Sequence, residues 1–196
     1  MNNLTQLKKK KLRKKILTER SALDSGFRAG VSENILEKLK SLDFFEKKRV
    51  VHAYLPIKGN GEIFTWAIID WLQRSGHEVW ASYLPPEEAG VGFCKISANT
   101  IYDVGRFGIP LPREAVEASC KPDVVLVPCL AVDKLGNRLG YGSGWYDKFL
   151  SEHKTATRVG LVYDQFLFEE IPHDERDQPL DVVISDKDVL RLPRRK

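Results

Sequence analysis

The segment 123–129 constrains the fold of this chain more than any other. Its sequence, Asp-Val-Val-Leu-Val-Pro-Cys, is almost continuously apolar. A strand with one face in water alternates polar and apolar residues, whereas an unbroken apolar run is typical of a parallel strand that is buried on both faces. The segment therefore predicts a central strand of a parallel sheet, with other elements packed on both sides of it.

Strand-like and helix-like segments alternate along the rest of the chain. Short β-rich runs predict strands, and apolar residues at helical spacing predict helices. The predicted strands are 49–55, 78–84, 91–96, 157–163 and 181–184; the predicted helices are 4–20, 27–41, 63–73 and 145–153, with Gly76 as a candidate C-cap of the third helix and 131–144 as a loop. This order predicts an α/β fold, a single three-layer α/β/α domain over residues 1–196 with a mainly parallel sheet. Ligands of such sheets bind where strands end, so the loop after Cys129 is the first place to look.

Composition excludes several classes of protein. Apolar residues make up 42% of the chain and charged residues 30%, which is globular composition and not that of a disordered chain. Three cysteines are too few and too scattered for a disulfide framework, and the four histidines lack metal-ligand spacing. The longest apolar run is interrupted by Pro128 and is too short to span a bilayer, and no apolar stretch follows the basic N-terminus. These features predict a cytoplasmic protein that needs no membrane.

The basic residues form two clusters. One runs from Lys8 to Lys15, and the other consists of Arg191 and the last three residues. Such clusters favour a polyanionic partner, which could be nucleic acid, a membrane surface or a phosphorylated small molecule. The alternatives are a solvated helix face for the first cluster and a frayed tail for the second. We expect the frayed tail, and the charges alone leave the first cluster open.

The most informative motif is the glycine-rich segment 136–147, Gly-Asn-Arg-Leu-Gly-Tyr-Gly-Ser-Gly-Trp-Tyr-Asp. Alternating glycines let backbone N–H groups converge on a phosphate, and the N-terminus of a following helix adds partial positive charge. Arg138 can donate hydrogen bonds to phosphate oxygens, and Asp147 can supply an oxygen ligand to Mg²⁺. The alternative is a tight strand–helix connection that needs positive φ angles. The segment fits neither the Walker A pattern nor GxGxxG, which disfavours a dinucleotide-binding fold.

Residues 127–150 resemble the signature of the 5-formyltetrahydrofolate cyclo-ligase family, Gly-x-Arg-Leu-Gly-x-Gly-x-Gly-x-Tyr-Asp, preceded by a strand that ends in proline and by an aspartate. Four more elements match in the family's order: Lys9 with Arg13, one turn apart on the first helix; Tyr54 and Leu55 with Glu62 and Thr65; Phe107-Gly108-Ile109-Pro110; and Pro172 with Asp177. The resemblance covers nearly the whole chain. It departs from the family at Val132, Ser143 and Trp145, and Glu62 lies slightly farther from the preceding strand than in some relatives.

The resemblance implies an ATP- and Mg²⁺-dependent enzyme that closes 5-formyltetrahydrofolate to 5,10-methenyltetrahydrofolate. It implies a catalytic role for Lys9, Arg13 and Arg138, and magnesium binding by Asp147 and Asp177. The implied ATP-binding residues are Lys9, Lys10, Lys11, Leu12, Arg13, Arg138, Leu139, Gly140, Tyr141, Gly142, Ser143, Gly144, Trp145 and Tyr146. The implied substrate-binding residues are Leu55, Glu62, Phe107, Tyr141, Gly142, Ser143, Gly144 and Trp145. The expected partners are a reduced folate and ATP, without nucleic acid or membrane, and the expected state is a monomer.

Several of these residues have a simpler interpretation. Glu62 could lie in the first turn of a helix, where a carboxylate suits the dipole. Asp177 could be part of an ordinary turn, and Trp145 and Tyr146 could belong to the core, which we expect for Trp145. Two other classes of protein also remain. One is a nucleic-acid-binding module led by the first basic cluster, although that cluster lacks interleaved aromatic residues. The other is an α/β enzyme such as a sugar-phosphate isomerase or an acyl-CoA transferase, which would need neither ATP nor metal.

Overall fold

The computed structural model describes residues 3–57, 59–84, 91–115 and 119–194. Its helices are α1 (Asn3–Ser21), α2 (Ser25–Lys40), α3 (Trp66–Arg74) and α4 (Trp145–Glu152). Its strands are β1 (Val50–Ala53), β2 (Glu78–Tyr83), β3 (Gly92–Ile96), β4 (Tyr102–Val104), β5 (Pro110–Pro112), β6 (Val124–Pro128), β7 (Ala131–Asp133), β8 (Arg138–Leu139), β9 (Thr157–Leu161), β10 (Leu167–Phe168), β11 (Val182–Ile184) and β12 (Val189–Arg191). The four predicted helices and the six predicted strands are all found, with ends shifted by up to three residues.

Seven strands form the central sheet, in the order β12-β11-β9-β6-β1-β2-β3. The five inner strands are parallel, while β3 and β12 run antiparallel at the two edges. The strand β6 lies in the middle, and its residues Val124 to Val127 are buried without exception. The apolar run that predicted a doubly covered parallel strand is therefore confirmed, and so is the mainly parallel α/β fold.

The two halves of the sheet grow in opposite directions from the pair β1 and β6. From β1 the chain crosses through α3 to β2 on one side, and from β6 it crosses through α4 to β9 on the other side. Because parallel crossovers are right-handed, crossovers in opposite directions put their helices on opposite faces, which gives three layers. The connections leaving β1 and β6 also diverge, and this divergence opens a crevice at the carboxyl ends of the two strands.

The segment that follows β6 is more ordered than the predicted loop 131–144. It contains β7 and β8, which pair with each other, and β7 also pairs with β10 in a separate three-stranded sheet. Asp133 holds this small sheet together from a fully buried position. Its carboxylate accepts hydrogen bonds from the backbone N–H groups of Leu135, Asn137 and Ile171, at 2.8–3.1 Å, and from the Asn137 amide at 2.9 Å. Asp133 thereby fixes the path of the chain into the glycine-rich segment.

The helical spacing of apolar residues predicts an amphipathic helix, and α1 is present, but its apolar face is only partly buried; the predicted face consists of Leu4, Leu7, Leu12, Ile16 and Leu17. Leu4 and Leu7 are 57% and 59% exposed, and they do not reach the core. The buried positions of α1 are instead Lys9, Ile16 and Arg20. Two of the three side chains that α1 buries are thus cationic, which requires that the interior supply partners for them.

The C-terminal basic cluster is not a frayed tail over its described part. Arg191 belongs to β12 and forms a 2.8 Å ion pair with Asp43, and Arg194 forms a 3.0 Å ion pair with Asp181. The expectation was wrong because a short antiparallel edge strand carries little periodic signal. The last two residues lie outside the described part of the chain. Within that part, no helix has the length and apolar character needed to cross a membrane, and all three cysteines are buried and free.

Two glycines with similar backbones provide a test of the packing around the β7–β8 turn. Gly136 has φ +82° and Gly59 has φ +90°. A Cβ at Gly136 would lie 2.6 Å from Leu192 Cδ1 and 2.9 Å from the Leu180 carbonyl oxygen. A Cβ at Gly59 would meet no atom of the described residues within 4 Å. We expect Gly59→Ala to lower the free energy of unfolding by about 1 kcal/mol through backbone strain alone. Gly136→Ala adds a backbone collision, so we expect a loss of about 3 kcal/mol. Urea unfolding of both variants measures the difference, and equal losses would contradict the packing described.

Candidate active site

The glycine-rich segment forms a turn that leads directly into α4. Gly142 and Gly144 adopt left-handed backbone angles, φ +107° and +70°, whereas Gly140 does not. Gly144 is the N-cap of α4 and supplies no side chain to cap it. Gly142, Ser143 and Gly144 are exposed. The N–H of Trp145, the first residue of α4, donates to Ser143 Oγ at 3.4 Å. The positive dipole end of α4 lies at this exposed turn, which is an arrangement suited to an anion such as a phosphate.

Two cations of α1 reach this turn and the loop beside it. Arg13 Nε donates to the Gly140 carbonyl oxygen at 2.8 Å, and a Cβ at Gly142 would lie 3.2 Å from Arg13 Cζ. Lys9 Nζ lies 2.9 Å from Asp174 Oδ2 and 2.5 Å from Asp177 Oδ2. Burial lowers the pKa of Arg13 from its ordinary value, and the charge of Asp177 opposes this shift. Arg13 is therefore brought to the glycine-rich turn, and Lys9 is brought to the loop beside it that carries Asp174 and Asp177.

The rest of the predicted ATP-binding helix segment points elsewhere. Lys10 and Lys11 are exposed, as are Lys8, Lys14 and Lys15, and Leu12 is half-buried against the core. Each of the two interpretations of the first basic cluster, a site for a polyanionic ligand and a solvated helix face, therefore applies to some of its residues. Lys9 and Arg13 line the candidate site, while the lysines around them form a solvated helix face.

Arg138 is buried beneath the turn and is paired with Asp147. Its Nη2 lies 2.8 Å from Asp147 Oδ1, and its Cζ lies 5.8 Å from the centre of the Tyr146 ring. The buried Nε of Arg138 has no hydrogen-bond partner among the described residues. Asp147 Oδ1 also accepts a 3.0 Å hydrogen bond from the backbone N–H of Gln178. This last bond joins the start of α4 to the loop that carries Asp177.

The two carboxylates predicted to bind metal are therefore close in the fold, and each already has a cationic partner. Asp147 pairs with Arg138, and Asp177 pairs with Lys9. Within the described ranges, no group of three or more histidine, cysteine, aspartate or glutamate side chains is arranged to hold a metal ion. Any divalent cation at this place would depend on two protein carboxylates together with oxygens from a ligand and from water.

Glu62 lies in the crevice after β1 and is almost completely buried, at 5% exposure. Its Oε2 accepts a 2.6 Å hydrogen bond from the backbone N–H of Ile57, and its Oε1 accepts a 2.7 Å bond from the Tyr141 hydroxyl. Burial raises the pKa of Glu62 from its ordinary value, and these two bonds oppose the rise. The helix α3 begins only at Trp66, with Thr65 as its N-cap, so the alternative that placed Glu62 in the first turn of a helix is wrong.

Tyr141 connects the two halves of the site. It stands between Gly140 and Gly142 in the glycine-rich turn, and its hydroxyl bonds to the carboxylate of Glu62. Burial and the nearby Glu62 charge raise the pKa of Tyr141, so the phenol is a hydrogen-bond donor at neutral pH. The turn suited to phosphate and the buried carboxylate after β1 therefore belong to one site.

The remaining predicted residues are less directly placed. Leu55 and Leu139 are buried in the core. Trp145 stacks on Phe149 with ring centres 5.2 Å apart, which fits the expectation of a core residue. Phe107 is 77% exposed on the turn between β4 and β5, with a left-handed φ of +56° and with Arg106 over its ring. A Cβ at the adjacent Gly108 would lie 3.6 Å from Ile57, so this turn borders the crevice.

The sequence interpretation missed two residues of the site. Asp174 shares Lys9 with Asp177, and its position three residues earlier in the same loop was the available signal. Arg20 is buried at the carboxyl ends of β1 and β6. It continues the face of α1 that carries Lys9, Arg13 and Ile16, so the spacing 9, 13, 16, 20 was the signal that could have found it.

Comparison with known proteins identifies the family of this chain. The model of the 5-formyltetrahydrofolate cyclo-ligase family matches residues 5–186. A 5-formyltetrahydrofolate cyclo-ligase from Mycolicibacterium smegmatis is 32% identical over 188 residues, covering 91% of this chain and 94% of the relative. The solution structure of Aquifex aeolicus 5,10-methenyltetrahydrofolate synthetase superposes with a TM-score of 0.82 at 33% identity, covering 96% of this chain and 94% of that one. A Mycoplasma pneumoniae 5,10-methenyltetrahydrofolate synthetase, 22% identical with a TM-score of 0.71 and covering 91% and 98% of the two chains, shares the fold.

Fold and relatives together define an α/β enzyme of the ligase class. More particularly, the chain belongs to the 5-formyltetrahydrofolate cyclo-ligase family.

The raised pKa of Glu62 predicts how this residue affects stability. Its carboxyl binds a proton more tightly in the folded protein than in the unfolded chain, so its contribution to stability is fully present below the ordinary pKa of 4.5 and is lost as the pH rises through the raised value. We expect Glu62→Gln to unfold at a higher urea concentration than the wild type at pH 7.5, with the difference shrinking at pH 4. Glu78→Gln is the matched control, because partners lower the pKa of Glu78 and its removal should slightly destabilise at pH 7.5. A Glu62→Gln variant that is less stable at pH 7.5 would contradict the desolvation described.

Proposed function

We propose that this enzyme uses ATP and Mg²⁺ to convert 5-formyltetrahydrofolate to 5,10-methenyltetrahydrofolate, ADP and phosphate. One observation carries the proposal: the 2.7 Å hydrogen bond from Tyr141 to Glu62, which unites a phosphate-type turn with a buried carboxylate in one crevice. A site with these two features side by side can hold a polyphosphate next to a substrate that carries N–H donors. The membership of the family supports the same reaction.

The chemistry balances in two steps. The formyl oxygen attacks the γ-phosphorus of ATP, the bond from that phosphorus to the β-phosphate oxygen breaks, and ADP leaves. N10 of the folate then attacks the activated formyl carbon and loses its proton, and the carbon–oxygen bond breaks to release phosphate. The protein's contribution is to hold the reactants in line and to neutralise charge, as in other phosphoryl transfers.

The phosphate groups of ATP would lie over the turn formed by Gly140 to Gly144. The open N-terminus of α4 and the guanidinium of Arg13, which already contacts this turn, support that placement. Lys9 forms an ion pair with Asp177, and Arg138 forms one with Asp147. When the polyphosphate binds, these two cations would exchange their carboxylate partners for phosphate oxygens. Each cation would therefore keep an anionic partner.

Asp147 and Asp177 are the residues that would hold Mg²⁺. They fit this metal because Mg²⁺ binds through one or two carboxylates, completes its coordination with phosphate oxygens and water, and does not require a dedicated cluster of protein ligands. Their proximity, indicated by the bond from the Gln178 N–H to Asp147, supports this assignment. A bound Mg²⁺ would supply neutralisation of charge on the phosphate oxygens.

The folate would occupy the crevice at Glu62. An ionised carboxylate with free lone pairs suits the N–H donors of a reduced pterin, and the exposed ring of Phe107 offers a flat apolar surface beside Ile57. Leu55 is buried and keeps a packing role in this proposal. The monomeric state, the cytoplasmic setting and the absence of a nucleic-acid partner stay predictions.

The direct test is to mix the purified protein with 5-formyltetrahydrofolate and MgATP and to follow the absorbance of the methenyl product. We expect product only when ATP and a divalent metal are both present, because the formyl oxygen leaves only after phosphorylation. Reactions without ATP and reactions with excess chelator are the controls. Turnover that is equal without ATP would eliminate the ligase mechanism.

Arg13 provides a test of the phosphate placement. We expect Arg13→Ala to raise the KM for ATP by about tenfold or more, because a charge-assisted hydrogen bond is lost. Arg13→Lys should recover only part of this loss, since a point charge cannot replace the planar fork. Lys14→Ala is the matched control on the exposed face of α1 and should leave the KM within about twofold. If Arg13→Ala leaves the KM for ATP unchanged, Arg13 does not bind phosphate.

A further inference from the structure

Arg20 is a buried guanidinium that no carboxylate neutralises directly. It is 2% exposed, and no acidic group lies within 4 Å of it among the described residues. Burying a charge in this way is costly unless hydrogen bonds compensate for the lost water. The contacts of Arg20 therefore show what its charge is used for.

All its donated hydrogen bonds go to two backbone carbonyl groups. Nε and Nη2 both donate to the Gly61 oxygen, at 3.0 and 2.8 Å, and Nη1 donates to the Cys129 oxygen at 3.0 Å. The guanidinium thus connects the segment after β1 to the segment after β6 across the mouth of the crevice. The Tyr163 ring lies 5.7 Å from Cζ and completes the enclosure.

Gly61 is held from its other side as well. It has φ +62°, and a Cβ at this position would lie 2.6 Å from the Arg20 carbonyl oxygen. The side chain and the backbone of Arg20 therefore both bear on Gly61, which is the residue directly before Glu62. Hydrogen bonds hold the Gly61 carbonyl, and the backbone of α1 lies close to Gly61, so rotation of the peptide that leads into Glu62 is restricted.

We infer that Arg20 is the positioning residue for Glu62: it holds the Gly61 peptide so that the Glu62 carboxylate presents itself to the folate. This inference rests on the proposed function of Glu62. Arg20 also stabilises the ionised form of Glu62 through its charge, together with the hydrogen bonds from Ile57 and Tyr141. Arg20 acts in this way without contacting the substrate. Lys9 and Arg13 attach α1 separately near the phosphate turn, so we expect Arg20 to affect folate binding and not ATP binding.

The test separates binding of the two substrates. We expect Arg20→Lys, which keeps a charge but loses the fork, to weaken binding of 5-formyltetrahydrofolate by about tenfold, the loss expected when hydrogen bonds from a charged donor are removed. The affinity for a non-hydrolysable ATP analogue, measured without folate, should change by less than about threefold. Arg49→Lys is the matched control, because Arg49 Nε donates to the Phe44 carbonyl oxygen at 2.7 Å at the opposite end of β1 and should affect neither ligand. Equal weakening of both ligands by Arg20→Lys would mean that Arg20 merely places α1, and would overturn the inference.

A double-mutant cycle identifies the route of the effect. If Arg20 acts through Glu62, then Arg20→Lys changes folate affinity little in a Glu62→Gln background, because the group being positioned is already altered. Full additivity would overturn the inference and leave the proposed function intact. A Glu62→Gln variant with wild-type folate affinity would overturn both. Gly61→Ala displaces the same peptide while retaining Arg20, so it should show the same folate-selective loss; it decides the question if Arg20→Lys fails to fold.

Discussion

The structure depends on hydrogen-bond donors for the backbone carbonyl groups in the segments that follow β1 and β6. The chain diverges there, and the carbonyl groups of Gly61 and Cys129 accept hydrogen bonds from the buried guanidinium of Arg20. A buried carbonyl without a donor is costly, so these bonds stabilise both segments. Arg20 belongs to α1, the helix that also carries Lys9 and Arg13, and those two residues attach α1 separately beside the glycine-rich turn. The segment before Glu62 and the segment after β6 thus share one attachment, which is Arg20.

The charges around the turn are balanced within the protein. Lys9 pairs with Asp174 and Asp177, and Arg138 pairs with Asp147, so these two cations have carboxylate partners in a partly buried site. Arg13 instead donates to the Gly140 carbonyl oxygen. Removing one member of such a pair leaves its partner with an uncompensated charge. An asparagine at position 147 would therefore affect Arg138 as well as any metal, which the sequence alone could not indicate.

Much of the fold could be predicted because its signals are local. The apolar run of β6 and the helical spacing of α2 and α3 depend only on near neighbours in sequence. The short strands β7, β8 and β12 could not be predicted, because segments of two or three residues carry no periodicity. The contacts that help to place them involve Asp133 for β7 and β8, and Asp43 for β12. The site was predicted where a motif was contiguous, as in the glycine-rich turn. It was missed at Arg20, whose partners lie 41 and 109 residues away. The apolar face of α1 was misjudged at Leu4 and Leu7, which are apolar but exposed.

The contacts of α1 also determine when during synthesis this site can exist. Lys9 pairs with a residue 168 positions later, Arg13 with one 127 positions later and Arg20 with one 109 positions later. The helix α1 therefore leaves the ribosome before these partners and waits for them with its inner cations in water. Arg20 can dock once β6 has emerged, Arg13 after the glycine-rich turn, and Lys9 only after the loop near Asp177. The helix is made before its partners and is completed from its C-terminal end toward its N-terminal end.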